Sequence, residues 1–550
     1  MKNIRIITKS KKSCETIFYY LASFAFDCLS NQKYNFTTIF SLKIANNKII
    51  FLKKYLEFNK TYFKNNNTNN GSILVDCFPI PDWIFVNSLF LNCISTVKEL
   101  EIISYGLRKR DQVTSAIYDS FGCRKHLQVI LTPEMRRQRL KLFCHIKNHL
   151  RVKEDLFNLH IDSVWVGMDI YESILRSGTH TVSINSLRAS RQLYIAITYF
   201  IYFKQAFQTY KIKAVALSHD NYIGMGLIAR IAYSKNVPVY LANAYGVLKT
   251  DHTHQIYEQY TQYRNIFDEL SSLEKLDAIE WSRETLSRRL KGEVGVEMSY
   301  QTKSAYHPLR FDRQLNDSKK LKIVVATHCF FDSPHGFGGM LFTDFYEWLI
   351  FLGLISLETD YEWYIKPHAD YMPGTLEVLQ DFIKEFPSFK IIDPKVSWHQ
   401  LKDEGGSIAL TCYGSIGHEL PLLGWRVINA SYNPHVAYKF NWHAKDKSDY
   451  KKLLIDLPSL GDIEEVDKIY EFFFVHKKLI AENNFFFDSA EAMTFSTSDE
   501  FSRLKAFNDF VEDAPNIFSV ASKKIHAYIK SGKISTNRFI NLINNIGIRD

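Results

Sequence analysis

The chain has 550 residues, beyond the size of one ordinary domain, so two large domains with connecting helices are expected. Hydrophobic residues make up 46% and charged residues 23%, which excludes a disordered or collagen-like chain. The net charge of +9 suits an anionic partner or an acidic membrane surface, and is too mild to imply nucleic acid. Aromatics are abundant at 15% and Gly is scarce at 23 residues, so a large core is easy to build.

The basic start reads as a first strand, Ile4–Thr8, because it lacks the sustained apolar run and cleavage site of a signal peptide. The Asn-rich piece 65–71 has little to bury and reads as a loop tip. Strands are expected at Ser72–Cys77, Leu100–Ser104, Ala214–Ser218 and Val237–Leu241, with an aromatic helix over Leu187–Tyr210. From Asp251 to Leu290 the spacing of Tyr257, Tyr260, Tyr263, Phe267 and Leu270 predicts helix. Met298–Lys320 is polar, without apolar periodicity, and is the expected interdomain linker. A second α/β series follows, with strands at 321–326, Tyr361–Lys366, Phe389–Ile392, Ile408–Cys412 and Arg426–Asn429. Two such series predict two Rossmann-like domains facing a cleft.

The eight cysteines, Cys14, Cys28, Cys77, Cys93, Cys123, Cys144, Cys329 and Cys412, form no C-x-x-C pair and fit no zinc or disulfide framework. Scattered thiols of this kind point to a reducing compartment. The longest strongly apolar run, Trp348–Leu357, has about half the residues that a bilayer span needs. A soluble or membrane-peripheral protein is expected.

Three segments of the second half carry candidate chemistry. After strand Ile408–Cys412 comes Gly414-Ser415-Ile416-Gly417, where small residues let backbone amides approach an anion. Ser415 adds a hydroxyl, and Glu419 can accept from a ribose diol; the bland reading is an ordinary strand–turn–helix. Lys366 and His368 follow strand Tyr361–Lys366, at the carboxyl edge where open parallel sheets bind ligands, and could neutralise a departing phosphate. His328, Asp332 and His335 crowd a Gly-rich loop after the first strand of that half; they could ligate a metal, but the motif supplies no further ligand.

In the first half, Gly167-Met168-Asp169-Ile170-Tyr171 through Arg176 predicts a helix whose polar face lines the cleft, or else a structural Asp169–Arg176 pair. His219 and Asp220 follow the strand at Ala214–Ser218. Gly224-Met225-Gly226 with Ala229 loosely matches a dinucleotide fingerprint, but lies beyond the strand and lacks the acidic ribose partner, so an NAD reading is rejected.

The series A-T-H-x-F-x-D-S-P-H, I-K-P-H and Y-G-S-I-G-H-E-L-P-L-L-G resembles bacterial capsule and surface-polysaccharide glycosyltransferases of GT-B architecture. It is similar to the capsule Kdo-transferase and sialyltransferase-like groups, and more distantly to teichoic-acid polymerases. The resemblance is strong over Leu321–Tyr450 and weaker upstream, where Gly167, Asp169, Tyr171 and Arg176 resemble a G-D-x-Y-x-x-x-x-R segment with Met168 inserted. It implies donor-nucleotide contacts at Lys366, His368, Gly414, Ser415, Gly417 and Glu419. Two departures stand out: Ala369 replaces the usual proline after the histidine, and Gly-Ser replaces the commoner Thr-Ser or Ser-Ser.

The expected organisation is an acceptor-side Rossmann-like domain over 1–255, a helical segment and linker over 256–320, a nucleotide-sugar domain over 321–490 and C-terminal helices over 491–550. No D-x-D triplet occurs, and no metal or other cofactor is expected. The expected reaction is glycosyl transfer from a nucleotide-sugar to a lipid-linked or oligosaccharide acceptor of a growing capsule or surface polysaccharide. Asp169, His219 and His335 are candidates for the general base, and Tyr171, Arg176, His328 and Asp332 for cleft lining. The alternatives are a polyol-phosphate transferase with a CDP-linked donor and a non-catalytic sugar-nucleotide-binding assembly subunit. A cytoplasmic location is expected, where Arg108-Lys109-Arg110 and Arg136-Arg137-Gln138-Arg139 could lean on an anionic membrane surface or serve as solvated helix faces.

Overall fold

The structure, a computed structural model, describes residues 46–63, 70–77, 81–243, 246–250, 260–297, 301–336, 339–479 and 514–533. The chain divides into two compact units, Met1–Tyr55 and Leu56–Asp550. Of the first, the described part is 46–55, within helix Asn46–Tyr62. The expected strand Ile4–Thr8 and most of the loop 65–71 lie outside the described residues.

The second unit holds fourteen described strands. In chain order they are β1 (Ser72–Asp76), β2 (Glu101–Gly106), β3 (Lys125–Gln128), β4 (His160–Ile161), β5 (Val164–Trp165), β6 (Ile212–Leu217), β7 (Val239–Asn243), β8 (Gly246–Thr250), β9 (Lys322–Ala326), β10 (Glu362–Lys366), β11 (Phe389–Ile391), β12 (Ile408–Thr411), β13 (Arg426–Asn429) and β14 (Trp442–His443). One sheet runs β3-β2-β1-β6-β7-β8, parallel except for the antiparallel β7–β8 pair. The other runs β11-β10-β9-β12-β13-β14 and is parallel throughout. β4 and β5 form a separate small hairpin.

Both orders start in the middle, grow outward on one side, then cross to the other. Each sheet therefore has a switch point, at β1/β6 and β9/β12, where a crevice opens at the carboxyl edge. Two doubly wound sheets with helical connections are the expected GT-B architecture. The local reason is plain in the strands. Ile73, Leu74 and Val75 of β1 and Ile323, Val324 and Val325 of β9 are buried without alternation, as strands covered on both faces must be. Apart from Ile4–Thr8, the expected strands appear within a residue or two. β3, β4, β5, β8 and β14 lack a clear signal in the sequence, being short, polar or at the sheet edges.

Helix Leu187–Thr209 is capped by Ser186, whose hydroxyl accepts from the Ala189 amide at 3.1 Å. Helix Ser272–Leu290 starts with a capping box between Ser271 and Glu274. The polar stretch that follows has no regular element over 301–320, yet Tyr306 and Leu315 are buried in a cluster with Tyr364, Trp398 and Trp425. It lies on the second sheet as a strap. Helix Ala514–Ser531 packs against helix Pro81–Lys98, so the end of the described chain returns to the first sheet's layer.

Candidate active site between the two sheets

At the second sheet's carboxyl edge, Lys366 ends β10 and is 2% exposed. Its Nζ donates to the Pro394 carbonyl at 3.3 Å and lies 5.7 Å from the centre of the Trp398 ring. Burial lowers its pKa to about 8, with Asp393 opposing the shift. His368 accepts at Nδ1 from the Asp370 amide at 3.0 Å, so the neutral ring carries its proton on Nε2. Burial is also what pushes its pKa down.

β12 ends at Thr411, whose Oγ1 accepts from the Gly414 amide at 3.1 Å. A Cβ at Gly414 would sit 2.9 Å from that oxygen, so glycine lets the turn close. The amides of Gly417, His418 and Glu419 are spent on carbonyls of the same turn. The Ser415 hydroxyl and the amides of Ser415 and Ile416 have no partner among the described residues. Gly417 has a packing reason: a Cβ there would stand 2.4 Å from the His435 ring.

Glu419 is 1% exposed, and both of its oxygens are engaged, one by the Arg289 guanidinium and one by the Tyr306 hydroxyl at 2.6 Å. Burial alone would raise its pKa; Arg289, His418 and the bond from Tyr306 outweigh this and hold it at about 2. In this conformation Glu419 presents almost no surface to a ribose. The sequence motif did not reveal that its partners come from the helix Ser272–Leu290 and the strap.

Facing this edge is helix Gly167–Arg176, whose Ile170, Ile174 and Leu175 are fully buried. A Cβ at Gly167 would fall 2.2 Å from the Leu156 and Phe157 carbonyls, so glycine is needed to start the helix there. Asp169 pairs through Oδ2 with Arg230 Nε at 2.8 Å, and its Oδ1 is buried without a hydrogen-bond partner. The expected Asp169–Arg176 pair is thus replaced by Asp169–Arg230, since Arg176 turns toward Asp332 at 3.5 Å. Burial raises Asp169 to about 7, against Arg230 and with help from Glu172 and Asp220. A Cβ at Gly226 would lie 2.1 Å from Asp169 Oδ1. That contact, not a nucleotide, explains the glycine of the loose fingerprint.

The two halves meet through specific bonds. Tyr171 donates to Asp344 at 2.6 Å, and Asp344 caps helix Phe345–Ser356. Glu172, fully buried, accepts from the Ser333 hydroxyl at 2.5 Å and lies 3.2 Å from His335 Nδ1. The Tyr222 hydroxyl donates to Asp332 at 2.7 Å. Glu172 was not singled out in sequence because its chemistry depends on a loop more than a hundred residues away.

His219 stands at the first sheet's switch point. Its Nδ1 is 3.1 Å from Ser218 Oγ, whose proton goes to Asp76 Oδ2 at 2.5 Å. Ser218 therefore accepts from Nδ1–H, and Nε2 is the unprotonated nitrogen of the neutral ring. Burial lowers His219 to about 4, with Asp332 opposing. Asp76 is raised to about 6 by burial, with the Ser218 bonds opposing.

His328 stands just past the end of β9. Its ring stacks on Phe345 at 4.8 Å and approaches Tyr413 at 4.6 Å, while Nε2 accepts from the Cys412 amide at 3.2 Å. Burial lowers it to about 3. It braces the end of β12. The Tyr413 hydroxyl then donates to the Ser333 carbonyl at 3.2 Å, tying the glycine–serine turn to the loop of Asp332 and His335. Among the described residues no group of three or more His, Cys, Asp or Glu side chains is arranged to hold a metal ion.

No family model matches the chain, and no curated protein matches it. Among solved structures it is similar to the Thermosulfurimonas dismutans KpsC beta Kdo 2,4 transferase, with 13% identity over 48% of this chain and 79% of that one, TM-score 0.28. It is also similar to the Neisseria meningitidis UDP-GlcNAc 2-epimerase bound to UDP-GlcNAc, with 12% identity over 74% and 94% of the two chains, TM-score 0.21. A glycosyltransferase from Rickettsia africae aligns over 82% of this chain and 99% of its own, with 10% identity and TM-score 0.22. The architecture rests on the strand orders of this chain rather than on these distant likenesses.

Proposed function

We propose that the chain is a glycosyltransferase that moves a sugar from a nucleotide-sugar to a growing capsule or surface polysaccharide. One observation carries this reading. A buried lysine and a turn with unspent donors stand at the switch-point edge of one sheet, and a histidine relay stands at the corresponding edge of the other. In the reaction proposed, Lys366, His368 and the Ser415 turn hold the donor diphosphate or phosphate and stabilise the charge that develops as it leaves. The acceptor hydroxyl gives its proton to His219 Nε2 as its oxygen attacks the anomeric carbon, in an inverting displacement.

Of the three candidate bases, His219 is favoured by its surroundings. Asp169 is fully buried and paired with Arg230, and the His335 side chain is 7% exposed and engaged with Glu172. Asp169 then acts by positioning Arg230, and His335 by holding the loop at the cleft. Among the described residues no helix is long and apolar enough to cross a membrane. Arg139 is buried beneath Tyr194, Arg110 is bonded to Asp119 and Arg137 pairs with Glu134, so any lean on an anionic membrane would fall first to the exposed Lys109 and Arg136.

Thermal shift with CMP, CDP, UDP and GDP tests the donor site. Stabilisation by one of them, weakened in Lys366→Ala, is expected; stabilisation by none would overturn the reading. Mass spectrometry of the product then separates sugar transfer from polyol-phosphate transfer, and binding without turnover would leave an assembly subunit. His219→Ala is expected to lower kcat by about 100-fold or more with nucleotide binding retained.

A further inference from the structure

A cavity of about 710 Å³ opens between helix Ser272–Leu290 and helix Trp398–Asp403, bounded by Tyr306 and Tyr470. Its volume falls in the range of small-molecule pockets. Lys366, His368, Ser415, His219 and Glu419 do not line it, so it is separate from the site described above. No carboxylate lines it either.

Arg283, Ser287 and Lys291 follow one another at spacings of four residues, which puts them on one helical face along the cavity wall. Arg283 and Lys291 have no carboxylate partner among the described residues; the Arg283 guanidinium instead lies 5.3 Å from the centre of the Tyr470 ring. Opposite them, His399 Nε2 donates to the Leu290 carbonyl at 2.7 Å, which leaves Nδ1 of the neutral ring as an acceptor. Leu286 and Tyr306 back the wall but are buried, so its apolar surface comes from the partly exposed Tyr470 ring.

The geometry points to a second ligand site here, for a phosphorylated sugar. Two cations without anionic partners suit a phosphate. Ser287 and His399 Nδ1 suit ligand hydroxyls, and the partly exposed Tyr470 ring suits the apolar face of a sugar. A bare anion would leave the acceptor nitrogen and the Tyr470 ring unused, and a neutral sugar would leave the cations unused. The inference does not depend on the donor reading, because Lys366, His368, Ser415 and His219 are absent from this wall; Tyr306, which bonds Glu419, is shared only as backing.

The test uses the full chain and isothermal titration with glucose 1-phosphate, inorganic phosphate and glucose as probes. Glucose 1-phosphate is expected to bind saturably, and tighter than inorganic phosphate or glucose. The double variant Arg283→Gln/Lys291→Gln should weaken it by roughly tenfold or more, while Lys366→Ala leaves it unchanged. Both substituted positions are exposed, and the charge-conserving Arg283→Lys/Lys291→Arg protein should retain binding. Three results would each overturn the inference. They are no saturable binding by about 10 mM, equal affinity in the glutamine double variant, and inorganic phosphate binding as tightly as the sugar phosphate.

Discussion

The Tyr171 hydroxyl donates a hydrogen bond to Asp344 across the cleft, at 2.6 Å, and the same carboxyl accepts from the Glu347 amide at the start of its helix. One carboxylate thus caps a helix on one side of the cleft and anchors a helix on the other. Thr181 adds a third bond to it at 2.8 Å. Tyr171→Phe should cost about 1–2 kcal/mol, the loss of one buried hydrogen bond to a carboxyl group that keeps its other donors. Asp344→Ala should cost more, since the cap goes too. Urea melts of both proteins check the order, and an Asp344→Ala protein no less stable than Tyr171→Phe would contradict it.

The two glycines of the rejected nucleotide fingerprint make opposite predictions. Gly224 has open space where a Cβ would stand, whereas at Gly226 it would strike Asp169 and the Asp220 carbonyl. Gly226→Ala should destabilise by about 1–3 kcal/mol through overpacking, and Gly224→Ala should be near neutral. Equal melting temperatures for the two variants would show that Asp169 does not pack there.

Arg289 and Glu419 are both buried, so their pairing is a structural dependence rather than a surface ornament. Arg289→Met leaves a buried carboxylate uncompensated and should cost about 3–5 kcal/mol. Adding Glu419→Gln should restore part of that loss, which denaturant titration of the double variant reads directly. The pH sign follows from the depressed carboxyl. Glu419 contributes stability above its ordinary value of 4.5, and that contribution fades as pH falls through the native value of about 2. The wild type should lose this term across that acid window, and Glu419→Gln should lose it less steeply.

Lys366 predicts a base limb for donor binding. With its pKa lowered to about 8, the free protein loses the ammonium charge above that pH, so nucleotide affinity should fall toward roughly tenfold per pH unit. Below it the charged form dominates and affinity should level off. Lys366→Arg, which stays charged, should flatten the profile. Titrations between about pH 6 and 10 measure both.

For folding stability the same lysine works in the opposite sense. Its depressed pKa means the unfolded chain binds more protons between about 8 and 10.5, so its cost shrinks as pH rises through that window.

How much of this was legible in the sequence depended on where the information sat. β9 and β13 announce themselves as compact apolar runs. β3, with the sequence KHLQ, becomes a strand because β2 offers an edge to pair with, which no local pattern records. The turn at Gly414 and Ser415, the lysine ending β10 and the helix of Asp169 and Tyr171 each lie within one short segment and could be located. Their partners could not. Arg230 reaches Asp169, Tyr306 reaches Glu419 and Asp76 supports His219 only because the fold closes long loops. Glu172 showed no local peculiarity at all; it matters through Ser333 and His335. Tyr306 did leave a trace, as an aromatic inside an otherwise polar connection.

The helix Ala514–Ser531 has a consequence for how the molecule is made. It covers helix Pro81–Lys98 with Ile525, Tyr528 and Ile529 buried, yet more than four hundred residues separate the two in synthesis. While a ribosome is still building the second sheet, the first lacks part of its outer layer and exposes apolar surface to other nascent chains. The first half is thus finished last, and a chaperone's attention would fall on the part of the chain that emerged early.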